Sequence, residues 1–366
     1  MSRMRSARPE PTRLRRLRDR LHEERLDGLL VSNLSNIRYL TGFTGSSAML
    51  LVEPGLATLV TDFRYETQAG EEVEPSIRVA IAADGLVDAL AARIEEEAPG
   101  RRIGFEPASL TVRDHLEIGE RCDTVIWDPA PPAVEALRAC KDPGEVERIE
   151  EAVRIAERAL VELLDVVRAG MTEREIAAEL EYRLRGAGSG PLPFDPIVAA
   201  GARSALPHAR PGDNRVEAGD VLLLDFGASS GGYVSDLTRV FVLGAPATWQ
   251  REMHAAVRDA CECGVAAVRA AALVRDVDAA ARDHLAGLGL ADRFGHSTGH
   301  GIGLDVHEAP RIHARGDHAL RAGNVVTIEP GVYVPGRGGI RIEQDVVVEA
   351  DGCRVLTTAS TDLIEL

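Results

Sequence analysis

"AGDVLLLDFG", residues 218–227, returns at residues 322–331 as "AGNVVTIEPG". Alanine, glycine, valine and glycine recur in register, and an acid ends the apolar run each time: Asp225 first, then Glu329. A short apolar run bounded by glycines reads as a buried strand. An acid placed at the end of such a strand twice implies a chain built from two related halves.

Each copy is followed by a glycine-rich turn and a second acid. Asp236 lies eleven residues past Asp225, in "VSDLTRVFV" beyond "GASSGGY"; Glu343 lies fourteen past Glu329, in "GIRIEQDV" beyond "PGRGG". Both intervening segments have hairpin chemistry, so each half can hold two carboxylates side by side on antiparallel strands. Helices precede the strands in both halves. "KDPGEVERIEEAVRIAERALVELLDVV" offers Asp142 as a cap, Pro143 at the first helical position and Glu145 as the capping-box partner, and "TERE" repeats the device with Thr172 and Glu175. A helical stretch from Trp249 to about Leu288 leads into the second strand block, which opens at "HSTGHGIGLDVHE".

If a pseudo-twofold relates the halves, Asp225, Asp236, Glu329 and Glu343 converge. Carboxylates crowded in an apolar setting repel one another and hold their protons, and a pair of divalent cations relieves this. His300 is the natural nitrogen ligand beside them. Oxygen-rich coordination with one imidazole favours manganese, with cobalt, iron or zinc as alternatives.

The rest of the chain sets limits. Its 366 residues are enough for two domains with a core each. The first third alternates apolar strands, "DGLLVS", "AMLLVE", "ATLVTD" and "SIRVAIA", with helices, as a small α/β domain does. The proline cluster "DPAPPAV", residues 128–134, reads as the linker, placing the domains at 1–132 and 133–366. Eight arginines crowd the first twenty residues, but no apolar run follows to serve as a signal core or membrane span. They are read instead as flanking an amphipathic helix with Leu14, Leu17 and Leu21 at helical spacing. A net charge of -16 with 4% aromatic residues disfavours nucleic acid. The single lysine, Lys141, rules out a phosphate-binding GK[ST] loop and leaves a Schiff base no other candidate. Five scattered cysteines lack metal-finger spacing and point to a reducing, cytoplasmic compartment.

Taken together, "LLLDFG", "VSDLTR", "HSTGHGIGLDVHE", "TIEPGVY" and "GIRIEQDV" resemble the dinuclear metallopeptidases of the pita-bread fold, the group of aminopeptidase P, prolidase and methionine aminopeptidase. The resemblance covers the C-terminal two thirds. "NIRYLTGFTGSSAMLLV" further resembles the N-terminal domain of the aminopeptidase P, prolidase and creatinase branch. The fold implied is α+β: a pita-bread domain with pseudo-twofold halves, preceded by a smaller creatinase-like α/β domain. The ligands implied are Asp225, Asp236, His300, Glu329 and Glu343, with Asp236 and Glu343 bridging two metals. His208 in "SALPHARP" and His307 match the substrate-handling histidines, and Arg341 matches an arginine that pairs with ligating carboxylates. Glu329 is the candidate proton shuttle. A homodimer is also implied.

The expected activity is a metallopeptidase that removes an N-terminal residue from peptides with proline second. A prolidase acting only on Xaa-Pro dipeptides is the alternative; the aminopeptidase is preferred because no carboxylate-reading arginine can be assigned from sequence alone. A non-catalytic binding protein on the same scaffold, or a metal-free creatinase-like hydrolase, is disfavoured because all five ligand positions are kept. His296 is left out of the ligand set, and His254 and His284 are read as surface or packing residues.

Overall fold

The computed structural model describes residues 12–95 and 100–366; Arg3, Arg5 and Arg8 of the arginine-rich start lie outside them. The chain divides into two compact units, Met1–Arg138 and Ala139–Leu366. No helix among the described residues is long and apolar enough to cross a membrane.

In the first unit, α1 (Thr12–Glu23) buries Leu14, Leu17 and Leu21, the stripe its spacing picks out. The strands are β1 (Gly28–Val31), β2 (Ala48–Val52), β3 (Ala57–Asp62), β4 (Arg78–Ala82), β5 (Arg102–Phe105) and β6 (Ile126–Pro129). They form one sheet in the order β4-β3-β2-β1-β5-β6, antiparallel through the β1-β2-β3 meander and parallel elsewhere. The helices α2 (Leu34–Thr41), α3 (Glu66–Glu72), α4 (Leu86–Glu95), α5 (Val112–Arg121) and α6 (Ala133–Arg138) alternate with them. The proline cluster interrupts this order less than its composition implies. Asp128 and Pro129 end β6, an edge strand where a missing N–H is tolerated, and Pro131 and Pro132 precede a helix start.

The second unit carries the duplication. Helices α7 (Pro143–Leu164) and α8 (Glu173–Gly186) start at the two expected capping boxes, Asp142 with Glu145 and Thr172 with Glu175. Strands β7 (Ile197–Ala200), β8 (Val221–Phe226), β9 (Ser229–Ser230), β10 (Tyr233–Val234) and β11 (Leu237–Val242) follow. The second half repeats the order with α9 (Thr248–Ala267), α10 (Val274–Gly287), β12 (Gly299–Gly301), β13 (Glu308–Ile312), β14 (Val325–Ile328), β15 (Gly331–Val334), β16 (Gly338–Arg341) and β17 (Gln344–Val348). Both halves thus run helices, then a strand pair with a smaller hairpin inserted: β8 with β11 around β9-β10, and β14 with β17 around β15-β16.

The repeated decapeptide folds the same way twice. Gly219 and Gly323 take φ of +90° and +88°, open to glycine without strain. Next to them, Glu217 N–H donates to Asp220 Oδ2 at 2.9 Å, and Arg321 N–H donates to Asn324 Oδ1 at 2.8 Å. Gly219 N–H then reaches Leu243 O as Gly323 N–H reaches Val348 O. The backbone enters the strand by one hydrogen-bonded turn in both places.

Strand β8 also shows why its apolar run is unbroken. Leu222, Leu224 and Phe226 pack among Ile155, Leu163, Leu180 and Leu184 of α7 and α8, while Val221 and Leu223 pack with Val257 of α9 and Val326, Ile328 and Val346 of the second half. A strand buried on both faces needs apolar residues at every position. Asp225 shares the parity of Val221 and Leu223, so strand alternation places it on the face toward the second half.

The helical stretch expected from Trp249 to Leu288 is interrupted. Between α9 and α10, Ala270 N–H donates to Glu349 O and Ala271 N–H to Leu320 O, and Ala271 takes φ +67°. Tertiary hydrogen bonds override the helix propensity of this alanine-rich stretch.

Candidate metal centre

The inner face where the halves meet gathers the eight side chains expected at the site. His208, Asp225, Asp236, His300, His307, Glu329, Arg341 and Glu343 all border one cavity of about 580 Å³. Thr238 pairs with Asp225 across β8 and β11, and Asp236 precedes β11 as Glu343 precedes β17. The related strand ends therefore deliver two acids from each half.

The tightest group is Asp236, His300 and Glu343, each offering a ligand atom within 4.8 Å of the others. His300 Nε2 lies 3.8 Å from Asp236 Oδ2 and 3.4 Å from Glu329 Oε1. Its Nδ1 is 3.2 Å from Gly301 O; donation there fixes the tautomer and turns the Nε2 lone pair toward the acids. Glu343 Oε2 accepts from Thr238 Oγ1 at 2.8 Å, whereas its buried Oε1 has no hydrogen-bond partner.

Without cations, burial and mutual repulsion make these acids hold their protons. Burial, then the charge of Glu343, pushes Asp236 and Glu329 well above the ordinary carboxylate range. Burial and Asp225 push Glu343 up to about 7. His300 is held down to about 4 by burial and by His307, so its imidazole is neutral at pH 7, as a metal ligand requires. A neutral nitrogen lone pair facing acid oxygens, with an orphaned buried oxygen beside it, fits divalent metal.

Arg341, on β16, organises the Asp225 side. Buried, it pairs with Asp225 through NH2 and donates to Thr238 Oγ1 at 3.1 Å, to Tyr333 Oη at 2.7 Å and to Pro207 O at 3.3 Å. Tyr333 in turn lies 3.0 Å from His296 Nε2, whose Nδ1 is 2.8 Å from Ser297 O. With Nδ1 protonated and donating to Ser297 O, Nε2 accepts from the Tyr333 hydroxyl. His296 thus belongs to the cavity wall without belonging to the close acid group. His254, read as a packing residue, is buried in α9.

Five residues of this region have roles that no motif in the sequence marks. Asp345, fully buried, accepts the Asp236 N–H at 3.1 Å and so fixes the backbone of that acid. Tyr333 links Arg341 to His296. Lys141 makes a buried ion pair with Glu308 at 3.0 Å, and Glu308 also accepts from Leu304 and Asp305 N–H, bracing the turn that carries His307. Arg311, on β13, lines the cavity, and its charge together with burial lowers the pKa of His307. Only the "IEQD" spacing carried a trace of Asp345, which shares strand parity with Glu343.

Comparison with known proteins agrees with this geometry. Residues 147–350 match Metallopeptidase family M24, and residues 13–140 match the Creatinase/Prolidase N-terminal domain. An uncharacterized peptidase of Bacillus subtilis, YqhT, is 38% identical over 97% of this chain and 100% of its own length. Among solved structures, the Xaa-Pro dipeptidase from Bacillus anthracis superposes with a TM-score of 0.93 at 38% identity, covering 97% of this chain and 99% of that one. The X-Pro aminopeptidase from Thermotoga maritima superposes with a TM-score of 0.89 at 37% identity, covering 96% and 99%. With both profiles matched in order and the α+β pita-bread architecture in place, the chain belongs to metallopeptidase family M24.

Proposed function

We propose that the protein is a metal-dependent Xaa-Pro peptidase whose site is the acid cluster between the two halves. The observation that carries this reading is the buried, unpartnered Glu343 Oε1 beside Asp236 and His300 in a peptide-sized cavity. Asp225, Asp236, His300, Glu329 and Glu343 would hold two divalent ions, with Asp236 and Glu343 shared between them. The mainly oxygen donor set supports manganese. When bound, such a pair supplies Lewis acidity toward the peptide carbonyl and toward water.

The remaining steps belong to the chain. Glu329, beside His300 on the cavity, accepts the proton of the attacking water and passes it to the proline nitrogen as the C–N bond breaks. His307, whose pKa is lowered by burial and Arg311, is neutral at pH 7 and offers an N–H to the carbonyl oxygen as charge builds there. His208, on the same cavity, serves the same oxygen or holds the substrate carbonyl. Arg341 keeps Asp225 in place through its buried ion pair.

Substrate length turns on Arg311. A free proline carboxylate in this cavity finds a guanidinium to read it, the group that sequence alone did not identify, and this favours Xaa-Pro dipeptides. The aminopeptidase reading is supported by the likeness to the Thermotoga maritima X-Pro aminopeptidase. Five free cysteines support a cytoplasmic location, and a homodimer is the proposed working form. Hydrolysis of Gly-Pro against Gly-Pro-Ala by manganese-loaded protein, with a chelated control, tests the assignment. Cleavage of the dipeptide alone supports the dipeptidase, cleavage of the tripeptide the aminopeptidase, and cleavage of neither refutes the peptidase.

A further inference from the structure

Between β7 and β8 the segment 201–214 leaves the sheet, carries Pro207 and His208 to the cavity, and returns. His208 is exposed, so packing does not fix it. Yet its segment is anchored at both ends to one buried carboxylate. Glu173, at the start of α8 and fully buried, accepts from Ala200 N–H and Arg203 Nε at 3.0 Å on the outgoing side. On the returning side it accepts from Gly212 N–H at 3.0 Å and Asn214 Nδ2 at 3.3 Å. Its own N–H donates to Asn214 O at 2.9 Å, and Arg203 NH2 crosses the segment to Arg210 O at 2.8 Å.

A buried charge survives only where its hydrogen bonds are met, and here the partners come from both flanks of the histidine segment. Removing the charge would therefore release both flanks together. The middle of the segment is seated on the site: Gly339 N–H donates to Ser204 Oγ at 2.8 Å, and Arg341 donates to Pro207 O. A side chain at 339 would not fit, since its Cβ would lie 2.3 Å from Ser204 O.

We propose that Glu173 is the positioning residue for His208, closing the 201–214 segment so that the imidazole is held at the cavity. The inference rests on the peptidase reading. Glu173 touches neither the acid cluster nor substrate; it acts through the segment.

The test compares wild type, Glu173→Gln, His208→Ala and the double variant in the full-length, manganese-loaded protein. Hydrogen exchange in 201–214 is expected to quicken in Glu173→Gln, with metal content unchanged. Gly-Pro turnover is expected to fall about tenfold to a hundredfold, as misplacement of a reacting group does. The double variant should be no slower than His208→Ala, because both changes remove one function. Multiplying losses, wild-type turnover in Glu173→Gln, or loss of metal from that variant would each overturn the proposal. Should Glu173→Gln not fold, Arg203→Met, which removes one partner and leaves the carboxylate, is predicted to give the same pattern with a smaller loss. If wild type cleaves no Xaa-Pro peptide, the peptidase reading fails by itself. The exchange comparison, which needs no substrate, still decides for or against the anchoring of 201–214 by Glu173: unchanged exchange in that segment rejects it.

Discussion

The two halves of the second unit share a scaffold and divide the chemistry unequally. Both enter a strand through the same glycine turn, both end it in an acid, and both place another acid before the returning strand. Their inner hairpins differ. In the first half β9-β10 turns through Gly231 and Gly232, both with positive φ, and its Tyr233 hydroxyl binds Glu145 of α7 at 2.6 Å, away from the acids. In the second half the longer β15-β16 hairpin brings Arg341 to the cavity, with Tyr333 bonded to it. The strand before each pair diverges as well, since β12 supplies His300 where β7 supplies none. Duplication accounts for the four acids; divergence supplies the imidazole, the arginine and the asymmetry that catalysis needs.

Breaking the shared part should cost most. Asp236→Ala removes an acid of the first half and is expected to lower peptidase turnover by roughly a thousandfold or more while reducing metal content, read by peptide hydrolysis and elemental analysis. Full activity there would contradict a two-metal site. His307→Ala, in the second half and outside the acid cluster, should lose about a hundredfold to a thousandfold in turnover while keeping its metal. Metal loss instead would make His307 a ligand.

Smaller effects sharpen the asymmetry. Arg341→Met, acting through Asp225, should weaken metal affinity roughly tenfold to a hundredfold, measured by metal titration. Arg311→Met should raise KM for Gly-Pro about tenfold and leave any tripeptide cleavage nearly unchanged, since only the dipeptide presents its carboxylate there. An equal effect on both peptides would remove Arg311 from substrate reading.

The smallest effect is on stability. Metal-free protein holds Glu343 with a pKa of about 7, above its unfolded value, so its folded state binds the proton more tightly. Stability from that proton is present at low pH and lost as pH rises through 7. His254, His296 and His300, lowered to about 4, act oppositely, but their contribution is complete above about pH 6.5. From pH 6.5 to 8 the metal-free protein should therefore lose about 1 kcal/mol from Glu343 alone, a fall in Tm of roughly 2–4 °C. Metal-loaded protein should not share it, and parallel Tm curves for the two forms would contradict the electrostatic account.

The local features were legible because local chemistry determines them. The capping boxes at Asp142 and Thr172, the glycine turns and the strand-end acids each follow from residue type and spacing. What was not legible depends on contacts distant in sequence. The break between α9 and α10 comes from hydrogen bonds to Leu320 and Glu349, and alanine-rich sequence conceals it. Glu173, Asp345 and Tyr333 have no motif; each matters through partners tens of residues away. Arg311 likewise sits in no motif that marks it, and only the folded chain brings its side chain to the cavity.

The central claim is that neither half holds metal alone. Manganese bound per chain, counted by elemental analysis after excess is removed, tests it in wild type, Asp236→Ala and Glu343→Ala. The account predicts two ions in the wild type and a loss in both variants, whichever half is altered. One ion retained at full affinity in each variant would mean that each half carries its own site, and would contradict a centre shared between them.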